Sequence, residues 1–103
     1  MATVVWTPRA YADLDAIGTY LALDAPRYAA RILRALLKAA DRLEVFPASG
    51  RVVPEMEDAS FREIIYRNYR IIYLHSIVDD RVEILTVFHA SQQFGGLPND
   101  SGD

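Results

Sequence analysis

The chain has 103 residues, a length that supports one hydrophobic core and therefore one domain. Hydrophobic residues make up 51% of it and charged residues 24%, which is typical of a globular protein and unlike a disordered one. The absence of cysteine excludes disulfides and cysteine-ligated zinc or iron–sulfur sites. With no signal-peptide pattern and no apolar run of about 20 residues, we expect a cytoplasmic protein without a membrane partner.

The charge balance argues against nucleic acid as the main ligand. The formal net charge is −3, whereas proteins that bind phosphate backbones usually carry a strong basic excess. All basic residues except Lys38 are arginine, and arginine favours planar, bidentate contacts with carboxylate or phosphate groups. Local ion pairing is therefore expected to matter more than net charge.

The first half of the chain predicts a short strand followed by a helical hairpin. Residues 3–6 are β-branched or aromatic, and Thr7 and Pro8 are suited to be the N-cap and first residue of a helix. Apolar residues spaced by three and four predict amphipathic helices over residues 8–23 and 26–45, with Pro26 beginning the second. Trp6 and the tyrosines at 11, 20 and 28 occupy positions that packing explains, so no stacking role is assigned to them.

The second predicted helix carries a basic stripe opposite its apolar face, formed by Arg27, Arg31, Arg34, Lys38 and Arg42. Regular charge on one helix face usually marks a solvated surface. Docking of an acidic partner segment or of operator phosphate is the alternative, and the spacing is compatible with both.

The second half predicts a loop and an antiparallel meander. Residues 48–60 form a loop that is long for a compact domain, which is typical of a segment with a function. Alternating residues then predict strands over 61–66, 69–78 and 81–89, joined by two-residue turns. Residues 95–103 predict a disordered tail after a single domain over residues 1–94. The predicted fold class is α+β, with the antiparallel helical hairpin packed on one face of the sheet.

Two-residue turns would determine which side chains share a face of this sheet. Opposite residues would have numbers adding up to 135 in the first hairpin and to 159 in the second. The more apolar face is predicted to lie beneath the helices and carries Ile64, Tyr66, Tyr69, Ile71, Tyr73, Ile77, Val82, Ile84 and Phe88. The other face, called the open face below, carries Glu63, Arg70, Ile72, Leu74, Glu83, Leu85, Val87 and His89. Such a half-apolar face is typical of a surface that binds a partner.

Two interpretations of the charged residues on the open face are possible. Arg70 could bind an anion beside His89, a side chain that can titrate near neutral pH, and Glu55 from the loop could complete the site. Alternatively, Arg70 pairs with Glu63 or Glu83, and His89 is only a hydrogen-bonded strand end. The sequence has no phosphate-binding glycine loop and no metalloprotease or serine-hydrolase motif, so neither a cofactor nor a metal is expected.

Several segments resemble, in order and spacing, the RelE/ParE superfamily of type II toxins. They are VWTP at residues 5–8, PASGRVVPE at 47–55, FRE at 61–63, YRIIY at 69–73 and VFH at 87–89. The resemblance covers residues 3–89 and is closest to ParE-like members. It implies a growth-arresting toxin that is encoded beside its antitoxin.

Two activities occur in that superfamily. ParE-like members inhibit DNA gyrase without being enzymes, whereas RelE-like and YoeB-like members cleave mRNA in the ribosomal A site. The resemblance implies a gyrase inhibitor, with an mRNA endoribonuclease as the alternative. Glu55, Arg70 and His89 fall at or within one position of a YoeB-like site and would be catalytic only in the second case. This chain continues with Ala90, not with the tyrosine that follows the histidine in such a site.

The resemblance also implies a cognate antitoxin, through which alone the toxin would contact operator DNA. A C-terminal antitoxin segment would become ordered only when it wraps around the toxin. The residues predicted to bind the target or the antitoxin are Arg51, Arg62, Arg70, Ile72, Leu74, Leu85 and Val87.

Overall fold

The computed structural model describes residues 1–92 and 94–95. Its elements are β1 (Thr3–Trp6), α1 (Pro8–Ala22), α2 (Pro26–Asp41), β2 (Arg51–Val52), β3 (Phe61–Tyr66), β4 (Tyr69–Ser76) and β5 (Arg81–His89). The strands form one sheet in the order β1-β5-β4-β3-β2, and the helical hairpin packs against it. The predicted α+β fold is therefore confirmed. Residues 96–103, most of the predicted tail, lie outside the described residues.

Thr7 connects the first strand to the first helix. β1 runs parallel to β5, with Trp6 opposite Ile84 at its end. The Thr7 hydroxyl then donates to the carbonyl oxygen of Ile84 (2.7 Å) and accepts from the backbone N–H of Ala10 (3.2 Å). The predicted N-cap is confirmed, and the same side chain also fixes the start of α1 on the sheet.

The two helices approach each other closely at Gly18. A Cβ atom at this position would lie 2.7 Å from Cδ1 of Leu33, so a larger residue would push the helices apart. After Asp41 the chain tightens into a single 3₁₀ turn over Arg42–Glu44, so α2 is shorter than the predicted helix over residues 26–45. No helix in the described part of the chain is long and apolar enough to cross a membrane.

The first hairpin has the predicted register and the second does not. Opposite residues in β3 and β4 add up to 135 throughout, from Phe61 and Leu74 to Tyr66 and Tyr69. In the second hairpin the turn has four residues, 77–80, and not two. Ile77, predicted to lie in the core, is 81% exposed in this turn. The prediction was wrong because the acidic pair at 79–80 is only half of the turn.

A β-bulge in β5 changes the register a second time. Ile84 lies opposite Tyr73, whereas Thr86 lies opposite Ile72, so Leu85 is an extra residue on β5. An extra residue shifts the alternation of side chains by one position, and every later residue then exchanges faces. The predicted register, in which the numbers of opposite residues add up to 159, is therefore wrong on both sides of the bulge.

The bulge reverses three predictions about the end of β5. Val87, predicted on the open face, is 2% exposed within the core beneath the helices. His89 lies opposite Tyr69, a core residue, and so also faces the helices. Phe88, predicted in the core, lies opposite Arg70 on the open face. All three corrections have the same physical cause, the exchange of faces beyond the extra residue.

Asp13 of α1 stabilises the bulge from outside the sheet. Its Oδ2 accepts hydrogen bonds from the hydroxyl of Thr86 (2.5 Å) and from the backbone N–H of Val87 (3.1 Å). Both donors lie beyond Ile84, where the pairing with β1 has ended. Asp13 therefore supplies an acceptor to the edge of β5 beyond the last residue that pairs with β1.

The substitution Asp13→Ala tests this role. We expect the free energy of unfolding to fall by about 2 kcal/mol, because two part-buried donors lose their acceptor. Urea denaturation measures the loss, and Asp15→Ala, at an exposed position on the same helix, is the control with an expected change within about 0.5 kcal/mol. Equal losses in the two variants would contradict the role of Asp13.

Candidate functional site

The open face of the sheet contains an ionic cluster formed by Arg51, Glu55, Glu63 and Arg70. Glu63 is its centre, since its side chain is completely buried. Its two oxygens accept hydrogen bonds from Nε of Arg70 (2.6 Å) and Nε of Arg51 (2.5 Å). A carboxylate can be buried in ionised form only when such partners compensate for its lost hydration. The pairing of β2 and β4 with β3 brings both arginines to it.

Arg70 also holds Glu55 of the loop after β2. Nη1 and Nη2 of Arg70 donate to the two oxygens of Glu55 at 2.9 and 2.7 Å, a bidentate geometry. The hydrogen bonds from Arg70 lower the pKa of Glu55 from 4.5 to about 2, and those to Glu55 and Glu63 raise the pKa of Arg70. The Arg70 side chain is only 10% exposed, so its guanidinium is occupied by carboxylates and largely shielded from solvent.

Two phenylalanine rings cover the guanidinium of Arg70. Its Cζ lies 5.2 Å from the ring centre of Phe88 and 5.6 Å from that of Phe94, and the two rings stack with centres 5.6 Å apart. These distances are within the range of cation–π attraction. Arg70 therefore also holds the Phe94 ring against the open face. The sequence analysis missed both rings, because the bulge that brings Phe88 here has no recognisable sequence signal.

The loop that carries Arg51 and Glu55 is anchored by hydrogen bonds to the sheet. The buried hydroxyl of Tyr73 donates to the carbonyl oxygen of Pro47 (2.8 Å) and accepts from the N–H of Gly50 (3.0 Å). Nη1 of Arg62 donates to the carbonyl oxygen of Gly50 (2.9 Å). A Cβ at Gly50 would lie 2.5 Å from the Glu63 carbonyl oxygen, so this approach requires glycine. Arg62, predicted to bind a partner, thus has a structural contact.

The predicted trio Glu55, Arg70 and His89 is not assembled. Glu55 and Arg70 are in contact, but His89 points to the opposite face, where its ring centre lies 5.3 Å from that of Tyr69. The N–H of Ser91 donates to Nδ1 of His89 (3.1 Å). The geometry agrees with the structural alternative, in which Arg70 pairs with Glu63 and the histidine is a hydrogen-bonded strand end.

The remaining residues predicted to bind a target or antitoxin differ in accessibility. The Arg51 side chain is 60% exposed, and Leu74 and Leu85 are half-buried, so these three reach the surface. Ile72 is completely buried, and Val87 belongs to the core beneath the helices. The prediction of an accessible position is therefore wrong for Ile72 and Val87.

No metal centre is evident in residues 1–92 and 94–95, because no group of three His, Asp or Glu side chains there could hold an ion. The chemistry that the described cluster supports is ion pairing. It balances two guanidinium groups with two carboxylates, and each carboxylate has an arginine within hydrogen-bond distance.

Residues 4–94 match the sequence model of a family described as the ParE toxin of the type II toxin-antitoxin system parDE. The chain belongs to this family. It is 43% identical over 89 residues to the protein Y4kP of Sinorhizobium fredii, a match that spans 86% of this chain and 88% of that protein. It is 37% identical over 92 residues to toxin RelE2 of Caulobacter vibrioides, spanning 89% and 99% of the two chains.

Solved structures share the fold of this ParE-family toxin. A chain of the chromosomal ParDE system of Pseudomonas aeruginosa superposes with a TM-score of 0.72 at 22% identity, over 86% of this chain and 96% of that one. A chain of the RelBE2 toxin–antitoxin complex of Mycobacterium tuberculosis gives a TM-score of 0.65 at 27% identity, over 88% and 93%. The family match and the sequence relatives identify a type II toxin. Because relatives and structures carry both ParE and RelE names, the shared fold does not separate the two activities.

The substitution Glu63→Gln tests the ionic cluster. It leaves two arginines facing a neutral amide, and breaking a buried ion pair from one side costs about 3 kcal/mol or more. We expect that loss in the free energy of unfolding, measured by chemical denaturation. Glu57→Gln, at an exposed position in the loop after β2, is the control and should change stability little. A similar small effect at Glu63 would show that its charge is dispensable.

The low pKa of Glu55 predicts a pH dependence of stability. Its folded-state pKa is about 2 and its ordinary value 4.5, so the ionised form stabilises the fold fully above pH 4.5. This contribution decreases as the pH falls from 4.5 towards 2 and is lost below that range. Wild type should exceed Glu55→Gln in unfolding free energy at pH 7, and the difference should shrink towards pH 2. A difference that does not vary with pH in urea titrations would refute this assignment.

Proposed function

We propose that this ParE-family toxin arrests growth by binding and inhibiting DNA gyrase, and that it does not cleave RNA. The observation that supports this proposal is the state of Arg70. Its guanidinium makes three hydrogen bonds to Glu55 and Glu63 and is covered by Phe88 and Phe94. His89 lies on the other face of the sheet.

Cleavage of a phosphodiester requires a cation available to the phosphate and acid–base groups that converge on it. In this chain the candidate cation is already bound by two carboxylates. Of the two other candidate catalytic residues, His89 is separated from Arg70 by the sheet, and Glu55 is one of the carboxylates that occupy the guanidinium. The cluster is therefore better suited to hold the loop and the Phe94 ring in place than to bind a negatively charged substrate.

The proposal includes neutralisation by a cognate antitoxin. The family is defined by a toxin–antitoxin system, and the RelBE2 chain with the same fold was solved as a toxin–antitoxin complex. The open face offers half-buried Leu74 on β4 and Leu85 on β5, and exposed Arg51 on the edge strand β2. These residues suit a segment that is both apolar and acidic. Operator DNA would be contacted only through the antitoxin.

A ribosome-dependent mRNA endonuclease is the second candidate. It is favoured by the direct contact between Glu55 and Arg70 and by the 37% identity to toxin RelE2. For this activity Glu55 would have to leave Arg70, so that the guanidinium could accept a phosphate in its place.

Two assays with the purified toxin distinguish the candidates. In the first, purified gyrase supercoils a relaxed plasmid at increasing toxin concentrations, and relaxation by a type I topoisomerase is the control for effects on the DNA. In the second, a cell-free translation reaction receives the toxin, and primer extension maps breaks in the mRNA. We expect supercoiling to be inhibited and the mRNA to remain intact. Intact supercoiling with mRNA breaks at defined codon positions would instead establish the endonuclease.

A further inference from the structure

Aromatic side chains from five elements converge at one end of the molecule. This aromatic pole consists of Tyr20 near the end of α1, Tyr28 at the start of α2, Tyr66 and Tyr69 beside the β3–β4 turn, and His89 at the end of β5. The sequence analysis treated Tyr20 and Tyr28 as packing residues. That interpretation is wrong for both, since Tyr20 is 74% and Tyr28 41% exposed. Packing within the monomer therefore does not explain them.

The pole contains a cleft of about 500 Å³ between α1, the start of β4 and the end of β5. Its walls include Ile17, Tyr20, Tyr69 and His89, and Ser91 lies at its rim. Tyr69 is 9% exposed, and its ring and that of His89 pack in a T-shaped arrangement with centres 5.3 Å apart. The backbone N–H of Ser91 holds the His89 ring through Nδ1. A cleft of this size and lining admits one or two apolar side chains.

Two arginines lie over tyrosine rings of the pole. The guanidinium of Arg31 lies 5.9 Å from the ring centre of Tyr28, and that of Arg67 lies 5.7 Å from the ring centre of Tyr66. Neither arginine belongs to an ion pair in the part of the chain that the structure describes. Arg67 has a φ of 52°, a conformation that few non-glycine residues adopt. The β3–β4 turn therefore places Arg67 at the pole with some conformational strain.

The pole is rich in the residue types that contribute most of the binding free energy at protein–protein interfaces. Tyrosine and arginine are enriched at such positions, and they act through pockets that exclude water. The pole also lies apart from the open face. Tyr69 and His89 face the helices, whereas Arg70 and Phe88 face the other way. A partner at the pole would therefore contact a different side of the sheet from a partner on the open face.

We propose that the aromatic pole is the surface by which the toxin holds its target protein, with an apolar side chain from an acidic target segment inserted in the cleft. The negative charge of that segment is inferred from Arg31 and Arg67, whose charges complement it. This inference rests on the proposed function in one respect, that the target is a protein. It assigns the target to the pole and leaves the open face to the antitoxin.

The variant Tyr20→Ala/Tyr28→Ala tests the pole. Both side chains are exposed, so folding should survive, which thermal unfolding checks. We expect at least a tenfold increase in the toxin concentration that half-inhibits purified gyrase, and loss of growth arrest on expression in cells. Tyr11→Ala is the matched control, because Tyr11 is a 53% exposed tyrosine on α1 that stacks on Trp6 outside the pole. It should behave as wild type.

Charge reversal tests the acidic partner. Arg31→Glu/Arg67→Glu should weaken inhibition of gyrase and growth arrest by at least tenfold. Lys38→Glu, further along the same helix and also exposed, should change both little. If the double reversal acts like wild type, the inferred negative charge of the target segment is wrong.

Copurification with the cognate antitoxin separates the possible outcomes. Tyrosine variants that lose growth arrest but still copurify support the inference. Variants that arrest growth like wild type overturn it and leave the proposed function intact. Variants that lose both properties overturn it as well, since the pole would then bind the antitoxin. If wild type arrests growth without inhibiting gyrase, the gyrase proposal fails. Comparing growth arrest by the tyrosine variants and by wild type would then still test whether the pole binds the target. A wild-type chain that arrests nothing overturns both.

Discussion

The buried carboxylate of Glu63 is the constraint on which the rest of the open face depends. Burial of a carboxylate requires partners that compensate for its lost hydration, and here they are Arg70 on β4 and Arg51 on β2. In this position, Nη1 and Nη2 of Arg70 donate to the carboxylate of Glu55, and the guanidinium lies over the ring of Phe88. One buried charge thus orders a strand, a loop and the end of β5. These contacts explain the position of Arg70 without a catalytic role.

A second constraint is the extra residue Leu85 in β5. It exchanges the faces of all later residues on that strand, so His89 joins the helix side while Arg70 stays on the other. Asp13 makes this arrangement possible, because it accepts the hydrogen bonds that the interrupted pairing leaves open. Side chains that look like a catalytic set in the sequence are thereby divided between two surfaces of the sheet.

The two partner surfaces proposed above differ in character. The open face combines half-buried leucines with an exposed arginine, whereas the aromatic pole has a cleft and exposed tyrosines. A toxin with separate contact surfaces can be bound by an antitoxin without direct competition at the target surface. Neutralisation would then depend on the bulk of the antitoxin, or on the stability of the complex, more than on occupation of the same residues.

The sequence by itself determined the features that depend on neighbouring residues. Thr7 and Pro8 mark the start of α1, and the two-residue turn after Tyr66 fixes the first hairpin, because capping and short turns are local interactions. The order of the motifs also identified the superfamily. Only the tertiary structure decided the register of β5 and the composition of the site. Its bulge depends on a contact between Asp13 and Thr86, which lie 73 positions apart in the chain. The pattern of β5 alone contains no sign of that contact, so the positions of the residues beyond it could not be predicted.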